Sequence, residues 1–194
     1  ADKLEQYQNC STFQCLRQAI DILQETYQKN KPEKFERAAH LLLQSEHIFV
    51  SGFRGFSGAA RYMGVLLSQY TNRVTYYCNA DTRCVEGLID YGPQDCAVIF
   101  GAERYSRMSC VLAQIARDAH CRLIVITDKL TAPIAVGADI VFLADFSSLT
   151  AVNSYLGVNF IIEAIAFEVS RLQGVYPQQR LSRMDHYLSD LHLY

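Results

Sequence analysis

Tryptophan is absent from this chain, and proline is scarce, with 4 in 194 residues beside 10 glycines. That excludes a collagen-like repeat or a linker-dominated chain, and a hydrophobic content of 50% excludes disorder. No run reaches the roughly 18 apolar residues that a membrane-spanning helix needs, and Glu163 interrupts the longest apolar segment. No signal-peptide pattern opens the chain. An excess of one charge is missing too. The 18 basic and 20 acidic residues leave a formal net charge of −2, which does not fit a domain that holds DNA by itself. Lysine is rare, at Lys3, Lys29, Lys31, Lys34 and Lys129, so most basic residues are arginine, the better planar partner for anions.

Cysteine is plentiful but unpaired in pattern. Cys10, Cys15, Cys78, Cys84, Cys96, Cys110 and Cys121 are odd in number and contain no C-x-x-C pair. Most lie in apolar or helical stretches, where a free thiol behaves as a small hydrophobe, so a reducing cytoplasm is the expected compartment. His40, His47, His120, His186 and His192 lack ligand spacing, so neither a metal nor a cofactor is expected.

What the chain does have is periodicity. Leu16, Ile20, Leu23 and Tyr27 recur at steps of three and four, predicting a helix from about Leu4 to Gln28. Asn30 and Pro32 break it, and a second helix runs to about Ser45. Strand and helix then alternate. Strands are predicted at 47–51, 73–77, 96–100, 122–127 and 139–143, with helices from 57 to 70, 82 to 91 and 105 to 119 between them. A long apolar helix from about Thr150 to Leu172 and a polar helix from about Gln178 to the C-terminus follow.

Near-continuous Val/Ile/Leu strands are buried on both faces, as in a parallel sheet. The expected fold is therefore a three-layer α/β/α sandwich with a five-stranded parallel sheet, flanked by N- and C-terminal helices. Residues 1–45 are expected to form a helical segment packed on an α/β domain over 46–194, the two making one structural unit. Ligands in such folds bind outside the carboxyl ends of the strands, which directs attention to the loops at 52–57, 77–82, 101–106 and 127–133.

Gly52-Phe-Arg-Gly-Phe-Ser57 joins a strand directly to a helix, where free N–H groups attract anions and glycine lets a phosphate approach. The same glycines also serve a plain tight turn. The loop Gly101-Ala-Glu-Arg-Tyr-Ser106 stands in the equivalent place, with Arg104, Ser106 and Arg107 available to an anion or simply solvated. No acidic residue ends the second strand, so a dinucleotide site of the Rossmann kind is not expected.

Ile48-Phe-Val-Ser-Gly52, the loop at 101–106, and Ile124-Val-Ile-Thr-Asp128 with Thr131-Ala-Pro-Ile-Ala135 and Ala138-Asp139 together resemble a SIS (sugar isomerase) domain. The run Arg104-Tyr-Ser-Arg107 and the two leading helices resemble, more narrowly, the effector domain of RpiR-type transcriptional regulators. The resemblance covers about residues 10–172. It implies a piece of a longer regulator, with a DNA-binding helix-turn-helix domain N-terminal to it, that dimerises or forms a higher homo-oligomer and binds a sugar phosphate or related anion. No enzymatic activity is expected; the alternative is a sugar-phosphate isomerase, whose chemistry needs an acid–base group, and only Glu103 stands near the loops.

Phosphosugar-binding SIS domains use a Gly-x-Gly-x-Ser loop and a Ser-x-Ser-Gly-x-Thr/Ser loop. In this chain Gly52 matches the first pattern, Arg54 replaces its second glycine, Phe56 stands at the serine position and Ser57 follows one residue late. In the second loop Gly101 and Glu103 replace two serines, Arg104 replaces the glycine, and Ser106 matches. The resemblance thus makes Gly52, Arg54, Ser57, Gly101, Arg104 and Ser106 the expected ligand-binding residues, with the two arginines supplying the charge that lost hydroxyls do not.

Overall fold

A computed structural model describes residues 11–190. Helix α1 (Thr12–Lys29) opens with a capping box, in which Ser11 and Gln14 satisfy each other's backbone N–H groups. Helix α2 (Pro32–Gln44) follows, with Pro32 in its first turn. Then come β1 (Ile48–Ser51), α3 (Ser57–Ser68), β2 (Val74–Tyr77), α4 (Thr82–Glu86), β3 (Cys96–Phe100) and α5 (Arg107–Asp118). Strands β4 (Arg122–Thr127) and β5 (Ile140–Leu143) precede α6 (Leu156–Gln173) and α7 (Tyr176–Asp190).

The five strands form one parallel sheet in the order β2-β1-β3-β4-β5. Side chains alternate between its faces. Val50, Val98, Phe100, Ile124 and Ile126 meet Phe35 and Leu42 of α2, Met63 of α3 and Ile161 of α6. Phe49, Ala97, Ile99, Leu123 and Val125 meet Cys84 of α4 and Leu112 and Ala116 of α5. Helices therefore cover both faces of the sheet, giving the three-layer sandwich expected.

Asn30 explains why the chain turns between the first two helices. It is fully buried. Its Nδ2 donates to the Thr26 and Leu143 carbonyl oxygens at 2.7 and 2.8 Å, and its Oδ1 accepts from the Leu143 N–H at 3.0 Å. The carboxamide thus closes α1 and ties it to the edge strand β5.

The predicted start of the first helix at Leu4 lies outside the described residues, and two other helix boundaries differ most from the sequence reading. The helix expected over 82–91 is helical only over Thr82–Glu86. The long helix starts at Leu156 rather than Thr150, because Ser148, Thr150 and Ser154 hydroxyls bond local backbone groups and hold the preceding segment as a loop. Among the described residues no helix is long and apolar enough to cross a membrane.

Candidate functional site

The strand order reverses direction at β1 and β3, so the loops leaving their carboxyl ends diverge and open a crevice between them. The first loop folds back tightly. A Cβ at Gly52 would stand 2.7 Å from the Phe56 carbonyl oxygen, so only glycine fits there. Buried Phe53 pins the loop to the core, and Arg54–Phe56 make one 3₁₀ turn before α3. Arg54 has φ of +59°, in the left-handed region that favours glycine.

The second loop behaves alike. Gly101 continues the pairing to β4, donating its N–H to the Ile126 carbonyl oxygen at 3.1 Å. Arg104 then has φ of +66°. Both arginines hold the left-handed conformation that favours glycine. Ser106 is the N-cap residue of α5 without a side-chain capping bond, so its hydroxyl is not spent on the helix. The loops also touch, since Arg54 Nη1 donates to the Arg104 carbonyl oxygen at 3.4 Å.

A cleft of about 160 Å³ lies between them, lined among others by Arg54, Phe56, Gly101, Glu103, Arg104 and Ser106. Buried Ser109 closes its base, donating from its hydroxyl to the Phe100 carbonyl oxygen at 3.4 Å. Of the expected ligand-binding residues, Arg54, Gly101, Arg104 and Ser106 border this cleft. Gly52 and Ser57 stand behind it. Gly52 makes the turn, and the Ser57 hydroxyl donates to the Arg54 carbonyl oxygen at 2.8 Å, bracing the strained residue. Arg107 is exposed at the start of α5 and does not border the cleft.

A third wall comes from Asn153 and Tyr155, in the loop before α6, which the sequence reading passed over. Tyr155 lies edge-on to Phe56 at 5.2 Å and to Phe146 at 6.2 Å between ring centroids. Phe56 thus sits in an aromatic cluster at the wall. A Cβ at Gly55 would overlap the Tyr155 hydroxyl, so this glycine admits the ring.

Behind the second loop, Tyr105 is anchored. Its hydroxyl donates to Asp128 Oδ1 at 2.5 Å, and the Thr127 hydroxyl reaches the same oxygen at 3.0 Å. Burial, followed by the bond to Asp128, pushes the Tyr105 phenol well above its ordinary range, so it stays a neutral donor. The bond fixes the residue next to Arg104 against the end of β4. Two guanidinium groups against the single carboxylate of exposed Glu103 leave the cleft's mouth positive. The α5 N-terminus adds free N–H groups facing the same end of the sheet. This arrangement can hold a small anion. Among the described residues no cluster of three or more His, Cys, Asp or Glu is placed to hold a metal ion.

The SIS domain family model matches residues 41–166, more than half of the chain. No curated protein matches. The structure is similar to the sugar isomerase domain of an RpiR transcription factor from Sphaerobacter thermophilus, at 20% identity and TM-score 0.86, over 90% of this chain and 98% of that one. It is also similar to the Vibrio vulnificus NanR protein complexed with ManNAc-6P, at 13% identity and TM-score 0.80, over 98% of this chain and 74% of that one. A Listeria monocytogenes protein proposed to be a sugar-phosphate isomerase shares 15% identity at TM-score 0.75, over 89% of this chain and 93% of that one. The chain belongs to the SIS-domain family, and its fold resembles the effector domain of RpiR-type regulators.

Proposed function

We propose that this chain is the ligand-sensing effector domain of a transcriptional regulator, binding a sugar phosphate or related anion in the cleft between β1 and β3. The observation that carries the reading is the pair of arginines held at left-handed positions on facing loops. Strain of this kind persists only where the surroundings enforce it, and here both strained residues border one cleft. The similarity to NanR complexed with ManNAc-6P supports an anionic sugar as the ligand. In this reading DNA is contacted by a separate helix-turn-helix domain, the effector domain works as a homodimer, and the protein is cytoplasmic.

The same reading makes the domain a sensor rather than an isomerase. Proton transfer between adjacent carbons needs a base in contact with the substrate. Among the described residues, the cleft's lining offers Glu103, which is exposed, and no histidine. The test is incubation with aldose and ketose phosphates: no interconversion is expected, whereas turnover that is lost in Glu103→Gln would establish the isomerase instead.

A further inference from the structure

Arg104 and Ser106 both line the cleft, and Tyr105 between them does not. Its ring turns back to the sheet, where its hydroxyl donates to Asp128 Oδ1 at 2.5 Å. We propose that Tyr105 and Asp128 are positioning residues for the anion: their bond holds Arg104 in its left-handed conformation and so keeps its guanidinium at the cleft. The proposal rests on the reading of the cleft as the anion site.

The two strained arginines are braced differently. Arg54 is held locally, since the Ser57 hydroxyl three residues on donates to its carbonyl oxygen at 2.8 Å. Three residues after Arg104 stands Arg107, which has no hydroxyl to give. Among the described residues the Arg104 carbonyl oxygen accepts the long 3.4 Å bond from Arg54 alone. A left-handed arginine persists only where its surroundings enforce it, so the brace must lie on either side in the chain. On one side Ala102 is buried in the core. On the other, the Tyr105 ring folds back over the start of the loop, where a Cβ at Gly101 would stand 3.6 Å from its Cδ1. Glu103 and Arg104 alone must reverse the chain between these anchors, and a positive φ makes so tight a turn. The hydroxyl keeps the ring from swinging out. Asp128 Oδ1 also accepts from the Thr127 hydroxyl at 3.0 Å, and buried Thr127 ends β4. The Arg104 backbone is thereby tied to the sheet through one hydrogen bond.

Asp128 gives the idea a sign that a merely electrostatic or structural role would not share. A carboxylate at this end of the sheet repels an anion, so removing it should tighten binding if charge were all that mattered. A positioning role predicts the opposite. The experiment is calorimetric titration of inorganic phosphate into the unaltered chain, Tyr105→Phe, Asp128→Ala, Asp128→Asn, Arg104→Ala and the double variant Tyr105→Phe/Arg104→Ala. Tyr105→Phe keeps the ring against Gly101 and removes only the hydroxyl, so the fold survives it. Tyr105→Phe and Asp128→Ala should each weaken phosphate binding by roughly 3- to 10-fold, the worth of one hydrogen bond. Asp128→Asn should bind phosphate at least as well as the unaltered chain, because the carboxamide oxygen still accepts the bond while the negative charge is gone. Once Arg104 is alanine, Tyr105→Phe should cost no further affinity, since the group it positions is absent. Unchanged binding in Tyr105→Phe, tighter binding in Asp128→Ala, or an equal loss in the Arg104→Ala background each overturns the proposal. Phosphate binding that ignores Arg104→Ala would instead contradict the cleft reading, and this proposal with it.

Discussion

Arg54 and Arg104 sit at φ of +59° and +66°, where a side chain costs about 1–3 kcal/mol of strain and glycine costs none. Glycine at either position relieves that strain but adds about 1 kcal/mol of unfolded-state flexibility. Arg104→Gly is therefore expected to leave thermal stability unchanged or raise it, by about 2–4 °C per kcal/mol for a chain of this size. Anion affinity should fall at the same time, by roughly 10- to 150-fold for loss of a charge-assisted contact of about 1.5–3 kcal/mol. Calorimetry on the free and phosphate-loaded variant reads both, and a variant that is destabilised yet binds normally contradicts the account. The thiols give a second prediction. Burial pushes Cys121 up to about 12 from 9.0, and burial also raises Cys96. Half-buried Tyr91 is likewise pushed up to about 12, from 10.0, with desolvation as the main cause. Folding favours the protonated form of each, so their contribution is complete below about pH 9 and is lost as the pH climbs toward 12. Denaturant midpoints should hold steady from pH 7 to 9 and fall above that range. Alkylation of the native protein at pH 8 should label exposed Cys15 while sparing Cys96 and Cys121.

The strands are legible in the sequence because each is a short apolar run closed by turn residues, and parallel pairing buries both faces of the central ones. Their carboxyl-end loops follow from topology alone, which is why the arginine cleft lies where the pattern places it. The wall made by Asn153 and Tyr155 is not legible. It belongs to the segment between β5 and α6, where apolar residues such as Leu149, Ala151 and Val152 are interleaved with serine and threonine hydroxyls that capture the backbone. Periodicity sees the apolar residues and not the competition. Nor does sequence distinguish the Ser57 hydroxyl as a brace from Ser57 as a ligand, since either use needs the same residue at the same helix start. Asn30, in contrast, reads as a helix breaker in the sequence and proves to close α1 with one bond and tie it to β5 with two. Asn30→Ala leaves Leu143 N–H and C=O groups without these partners, and should cost about 1–3 kcal/mol in chemical denaturation. An unchanged denaturation midpoint would show that the tie carries no stability.

At the scale of the whole molecule, one face of α1 is exposed among the described residues. Phe13, Leu16, Ile20, Leu23 and Tyr27 follow heptad spacing and are all exposed, while Ile22 and Thr26 on the opposite side are buried. A second copy of the chain is the expected cover, giving a homodimer by light scattering at micromolar concentration; Ile20→Glu should shift it toward monomer. A monomer in the unaltered protein would contradict this. The anion site is the claim on which the functional account depends, and it too can be read from the whole fold, since a ligand bound only by the native state raises its stability by mass action. At inorganic phosphate about 100 times its dissociation constant the gain is about 2.7 kcal/mol. The most direct measurement is phosphate-dependent thermal unfolding of the unaltered chain beside Arg54→Ala and Arg104→Ala. The account predicts that phosphate raises the midpoint of the unaltered chain and that each substitution weakens the dependence by roughly 10- to 150-fold in concentration. A midpoint that ignores phosphate, or one that rises equally in all three proteins, would contradict it.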